Sequence, residues 1–267
     1  MSNNGISTPS LSIRNRGLLY GDGVFRTLLA EQGVALHWAL HYQKLHDDCA
    51  ALGIVCPDFA VLTAELAQLL VKSPNGVLKI VVTRGEGQRG YTPPAHAEPT
   101  HFWDVAPIPL YPVHYQTDGV DVCFCQLRLG EQPRLAGIKH LNRLENVLAA
   151  AEIHDAVEGL MLDAQGNVIE GTRSNVFLVK NGQLLTPDLS RCGVAGLQRQ
   201  RIIAKTDVRI VEVSVADLLE ADEVFLVNSV ISVWSVRRIG SRHWTQFSTA
   251  QRVRLALQQE DEPCCND

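Results

Sequence analysis

Gly137-Ile138-Lys139-His140-Leu141-Asn142-Arg143-Leu144-Glu145-Asn146-Val147-Leu148 is the stretch around which the chain is organised. Leu141, Leu144 and Leu148 recur at helical spacing while Asn142, Arg143, Glu145 and Asn146 fall elsewhere on the wheel, so the pattern predicts a helix beginning just after Lys139. A lysine at a helix entrance meets the positive end of the helix dipole. That charge, in apolar surroundings, disfavours the ammonium form and leaves free amine, the nucleophile that forms a Schiff base with an aldehyde. Lys139 is therefore a candidate cofactor anchor, against the plain alternative of one surface lysine among many.

The 267 residues suffice for two modest domains or one large one, and a hydrophobic share of 46% is enough to build their cores. A net charge of -5, with arginines scattered singly or in pairs, argues against a nucleic-acid surface. Met1-Ser2-Asn3-Asn4-Gly5 lacks the basic start and apolar core of a signal peptide, and no apolar run approaches a membrane span. A cytoplasmic location without a membrane partner is expected. The seven cysteines have no zinc spacing: Cys49, Cys56 and Cys192 are isolated, Cys123 and Cys125 alternate along a predicted strand, and Cys264 and Cys265 sit in a polar tail. Reduced, mostly buried thiols and no metal site are expected.

In the first half, Ser10 to Leu36 reads as strand and turn, with Leu11-Ser12-Ile13 alternating and three glycines packed among apolar residues from Gly17 to Phe25. His37 to Leu52 reads as an amphipathic helix, and Phe59 to Lys72 as a second one stopped by Ser73-Pro74-Asn75-Gly76. Val77 to Thr83 is a strand rich in branched residues. It runs into Arg84-Gly85-Glu86-Gly87-Gln88-Arg89-Gly90-Tyr91, a basic loop whose arginines suit a carboxylated substrate as readily as a charged turn. Pro107, Pro109 and Pro112 make a stiff connector, which places a boundary between a unit 1–107 and a unit 113–267, with 108–112 as linker.

The second half opens with a strand from Gly119 to Leu127. Two hairpins are predicted, one turning at Ala164-Gln165-Gly166 and one at Lys180-Asn181-Gly182. Glu170 ends an otherwise apolar strand, so its carboxylate either faces water or is held inside by a cation. Gly193 to Gln198 is a run of small residues entering a helix, and free N–H groups at a helix start bind phosphate well, although an ordinary turn has the same look. Glu223 to Val230 is a buried strand ending in two hydrogen-bonding side chains, Asn228 and Ser229. From Gln258 the tail is polar and expected to be disordered.

GIKHLNRLENVL resembles the active-site segment of the fold type IV pyridoxal-phosphate enzymes, and within that group the aminodeoxychorismate lyases. Branched-chain and D-amino-acid aminotransferases share the lysine but usually differ where this chain has His140 and Arg143. The resemblance extends in order along nearly the whole chain, and it implies an α/β (α+β) protein of two domains. A smaller N-terminal α/β domain and a larger C-terminal domain on mixed or antiparallel sheet would hold pyridoxal 5'-phosphate in the cleft between them.

By the same resemblance Lys139 anchors the cofactor and acts as base. Glu170, in Glu170-Gly171-Thr172-Arg173-Ser174-Asn175, pairs with the pyridine nitrogen and keeps it protonated. Gly196, Leu197 and Gln198 bind the phosphate through backbone amides, helped by Ser229, Asn228 and Lys44. Lys44 stands where the family carries arginine, a point charge in place of a two-pronged donor. Phe25 lines the substrate side of the pocket, and Arg26 and Arg84 are assigned to substrate. The implied reaction converts 4-amino-4-deoxychorismate to 4-aminobenzoate and pyruvate, in a homodimer linked functionally to aminodeoxychorismate synthase. A same-fold aminotransferase and a non-catalytic binding domain are the alternatives.

Overall fold

The computed structural model describes residues 11–261. Met1-Gly5, Cys264 and Cys265, on which expectations were placed above, lie outside them. The first elements are α1 (Arg16–Tyr20), β1 (Gly23–Glu31), β2 (Val34–Ala35), α2 (Trp38–Ala51), α3 (Phe59–Lys72), β3 (Gly76–Thr83) and β4 (Thr100–Ala106). The strands form an antiparallel sheet in the order β2-β1-β3-β4. Alternation along β1 and β3 turns Val24, Leu28, Leu78, Ile80 and Val82 inward, where they meet Leu45 of α2 and Leu62 and Leu66 of α3.

The expected strand at Leu11-Ser12-Ile13 is not formed. Instead Asn15 caps a short helix by accepting the Gly17 N–H at 2.9 Å, and Gly21 ends it in the left-handed conformation. Asparagine and glycine thus set the ends of α1, which a reading of apolar alternation misses.

The second half contributes α4 (His114–Thr117), β5 (Val120–Leu129), α5 (Leu144–Ala151), β6 (Glu158–Asp163), β7 (Val168–Gly171), β8 (Asn175–Lys180) and β9 (Gln183–Pro187). It continues through α6 (Leu197–Lys205), β10 (Val208–Val211), α7 (Val215–Leu219), β11 (Glu223–Asn228), β12 (Ser232–Ile239), β13 (Arg242–His243) and α8 (Ser248–Asp261). The sheet runs β10-β9-β8-β11-β12-β5-β6-β7, with β13 pairing β12. It is mixed, since β9 and β10, β5 and β12, and β5 and β6 pair in parallel. This is the expected two-sheet α/β architecture. Strands β6, β8 and β11 are buried almost throughout because apolar clusters cover the sheet, which explains their unbroken branched and apolar runs. Both predicted hairpins form. Residues 107–112 carry no regular element and join β4 to α4. The polar tail starts as the last turn of α8.

The helix expected directly after Lys139 starts at Leu144. The reason lies in the two sheets: the Phe25 N–H donates to the Lys139 carbonyl at 3.0 Å and the Leu141 N–H to the Gly23 carbonyl at 3.0 Å. On the other side Gly137 donates to the Gly193 carbonyl at 2.9 Å and Ala195 donates to the Gly137 carbonyl at 3.1 Å. With its backbone groups taken across strands, the segment stays extended, a bridge between β1 and the loop before α6. Leu144, Val147 and Leu148 of α5 are then left exposed.

Candidate functional site

The bridge carrying Lys139 forms one wall of a cavity of about 400 Å³. Phe25, Arg26, Lys139, Arg143, Glu170, Gly196, Leu197, Gln198, Asn228 and Ser229 all line it. The Lys139 ammonium stands 4.7 Å from the centroid of the Phe25 ring. Burial pushes its pKa down to about 8, with Arg26, Arg143 and Lys79 adding to the effect and Glu170 opposing it. The reactive amine is thus produced by desolvation and neighbouring cations, not by a helix start, which lies further along.

Glu170 enters from β7 opposite Met161 of β6 and is 3% exposed. One oxygen, Oε2, accepts the Val194 N–H at 2.9 Å; Oε1 is buried without a partner. Burial pushes this carboxyl up to about 7, against the Val194 N–H, Arg143 and Lys139, which favour the carboxylate. A buried acceptor left open at a cavity wall suits a ligand that brings a donor, and a protonated ring nitrogen is such a donor.

The loop before α6 is shaped by Asn175, whose amide donates to the Val194 carbonyl at 2.8 Å and accepts the Gly196 N–H at 3.0 Å. The Gly196 N–H is thereby taken, contrary to its expected phosphate role, and the first amides of α6, at Leu197 and Gln198, face the cavity end that these residues line. A Cβ on Gly196 would meet the Asn175 oxygen at 2.3 Å, which is why a glycine sits there. At the end of β11, Asn228 spends its side chain on the backbone: Oδ1 accepts from Val230 and Ile231, and Nδ2 donates to the Arg173 carbonyl. Ser229, on the same turn, is also part of the cavity wall.

Three expected site cations are committed elsewhere. Lys44 is absent from the cavity wall and donates to Asp48 Oδ1 at 2.9 Å, one helical turn along. Arg26 does reach the wall but is 2% exposed and pairs with Asp48, and Arg84 lies off the wall, held by Asp22 at 2.8 Å and by the carbonyls of Leu52 and Gly53. Each guanidinium takes the carboxylate at hand, Arg84 off the cavity wall and Arg26 through Nη2, while Nε of Arg26 is buried without a partner.

Sequence reasoning missed Asp48 itself. It is 1% exposed, and besides Arg26 and Lys44 it accepts the backbone N–H of Lys139 at 3.1 Å. The i,i+4 spacing from Lys44 was the one available sign. Arg143 was also undervalued: it donates to the carbonyls of Ile138 and His140, either side of Lys139, at 3.1 and 3.0 Å. His41, Thr172 and Arg173 complete parts of the wall.

A family model described as amino-transferase class IV matches residues 23–239. The chain belongs to this class IV family. Among its relatives, the Vibrio harveyi protein named aminodeoxychorismate lyase is 34% identical over 245 residues, spanning 89% of this chain and 90% of the relative. A putative branched-chain-amino-acid aminotransferase from Methanocaldococcus jannaschii is 32% identical over 246 residues, spanning 87% and 83%. The crystal structure of 4-amino-4-deoxychorismate lyase from Pseudomonas aeruginosa superimposes with a TM-score of 0.90 at 43% identity, covering 96% of this chain and 97% of that one. In this class IV member the matched span takes in Lys139, Glu170 and the loop before α6.

Proposed function

We propose that this class IV amino-transferase family member is an aminodeoxychorismate lyase that uses pyridoxal 5'-phosphate. The observation that carries the reading is the likeness to the Pseudomonas lyase over nearly the full length of both chains. The cavity suits the cofactor at three points: the Lys139 amine for the aldehyde, the open Glu170 oxygen for the ring nitrogen, and the α6 amides for the phosphate. Ser229 joins the phosphate end, Asn228 shapes its turn, and Phe25 flanks Lys139.

Bound there, the cofactor supplies an electron sink for the charge left on the substrate's amine-bearing carbon. Lys139, whose amine burial shifts toward the neutral form, removes the proton from that carbon. Departure of the enolpyruvyl oxygen from the neighbouring carbon then leaves an aromatic ring, 4-aminobenzoate. Lys139 hands its proton to the departing three-carbon fragment, which leaves as pyruvate. Glu170 keeps the cofactor nitrogen protonated, and Arg143 fixes the backbone on both sides of Lys139.

The units 1–107 and 113–267 correspond in this reading to the two sheets, with the site where they meet. The exposed Leu144, Val147 and Leu148 beside the Lys139 segment favour a homodimer, testable by light scattering. A cytoplasmic place in folate synthesis, fed by aminodeoxychorismate synthase, follows from the reaction. The Methanocaldococcus relative favours a second reading, an aminotransferase on the same cofactor. Purified enzyme offered aminodeoxychorismate beside a panel of amino and keto acids separates the two. Release of 4-aminobenzoate and pyruvate, abolished in Lys139→Ala together with the visible absorbance of the bound cofactor, is the expected result; amino-group exchange without pyruvate release would overturn it.

A further inference from the structure

Three arginines line the cavity, and they differ in what holds them. Arg26 is 2% exposed and pairs through Nη2 with Asp48, and its Nε is buried without a partner. Arg143 uses Nε and Nη2 on the carbonyls of His140 and Ile138, and among the described residues Nη1 has no hydrogen-bond partner. Arg173 keeps more of its cation available: Nη2 donates to the Val157 carbonyl at 2.9 Å, while Nε stands 3.6 Å from Glu158 and the side chain is 53% exposed. Glu158 is the loose ion-pair partner of Arg173, and its oxygens accept their hydrogen bonds from Gly159, Thr172 and Ser174.

The backbone under Arg173 is pinned on three sides. Asn146 donates to the Thr172 carbonyl at 3.0 Å, Asn228 donates to the Arg173 carbonyl at 3.0 Å, and Glu158 holds Thr172 and Ser174. A rigid base therefore carries a half-exposed guanidinium three residues beyond Glu170. Arg143 and Arg173 also both line the adjoining surface groove with Asn146 and Val147, so they stand between the cavity and that groove. Glu170 is the one carboxylate on the cavity wall among the described residues, and one of its oxygens is turned to Val194. Arg26, Lys139, Arg143 and Arg173 stand on the same wall, so cationic side chains outnumber carboxylates there even with Glu158 beside Arg173.

We propose that Arg143 and Arg173 form an anion site that receives a carboxylate of the substrate at the cavity entrance, and that this site selects dianionic substrates over simple amino acids. The inference rests on the lyase reading for its substrate, since aminodeoxychorismate carries two carboxylates and a branched-chain amino acid one. Guanidinium with two donors toward one carboxylate is the geometry that gives both orientation and affinity.

The test uses the holoenzyme, with Arg173→Gln and Arg173→Lys as variants. Arg143 is left intact because it supports the Lys139 backbone. Calorimetry measures binding of chorismate, which has both carboxylates and no amine, beside leucine, which has one carboxylate. Loss of one half-exposed charged hydrogen-bond donor weakens chorismate binding roughly 10-fold in Arg173→Gln. Arg173→Lys recovers most of it, and leucine changes less than about 2-fold in either variant, by the same conversion. Chorismate affinity within about 2-fold of the parent in Arg173→Gln, or equal losses for chorismate and leucine, would overturn the inference. Since chorismate binding needs no turnover, selective loss in an enzyme that fails to convert aminodeoxychorismate would remove the lyase reading and keep the anion site.

Discussion

Replacing Asp48 by asparagine removes the carboxylate on which Arg26, Lys44 and the Lys139 backbone converge. Asp48 and Arg26 are 1% and 2% exposed, so the guanidinium left behind cannot recover its lost partner from water. Removing one member of a buried ion pair costs about 3–5 kcal/mol, and the asparagine oxygen still accepts one of the three donors, which puts the loss near the lower figure, about 3 kcal/mol. For a chain of this length that is a fall in Tm on the order of 10 °C. The assay is thermal and urea unfolding of the cofactor-free protein, run with Arg26→Met and with the double variant. The double variant should be clearly more stable than Asp48→Asn alone, because it removes the stranded charge. Hydrogen exchange at the Lys139 amide should accelerate in Asp48→Asn. A loss under about 1 kcal/mol, or a double variant no better than the single one, would refute the reasoning.

Three further outcomes are expected. In the cofactor-free protein Glu170 titrates near pH 7 against about 4.5 when unfolded, so between those values the folded state holds the extra proton and stability falls as pH rises; Glu170→Gln should flatten that part of a Tm-against-pH curve. Gly196→Ala pushes a methyl group onto the Asn175 oxygen and disturbs the α6 entrance, so the Kd for pyridoxal 5'-phosphate should rise roughly 10-fold while that for pyridoxal, which lacks the phosphate, stays near the parent value in equilibrium dialysis. Arg84→Ala should lower Tm through loss of its ties to Asp22, Leu52 and Gly53 and leave the KM for aminodeoxychorismate within about 2-fold, since Arg84 is not part of the cavity wall; a large rise in KM would return it to the substrate site.

Local pattern was enough for much of this protein. The periods of 3.6 and 2 mark α2, α3 and β3, the Gln165-Gly166 and Asn181-Gly182 turns mark the hairpins, and these depend on neighbours a few residues apart. Lys139 and Glu170 were legible as residue types in unusual company. Tertiary structure alone decided how they are held. The segment at Lys139 has helical spacing but is extended, because Gly23, Phe25, Gly193 and Ala195 take its backbone hydrogen bonds before a helix can. Its amine is made reactive by burial, a property of everything that surrounds it. Arg26 and Arg84 read as free cations in sequence, and in the fold they pair with Asp48 and Asp22. A charge removed from water binds the nearest opposite charge in space, and distances across 22 or 62 positions of chain are not written in any local spacing.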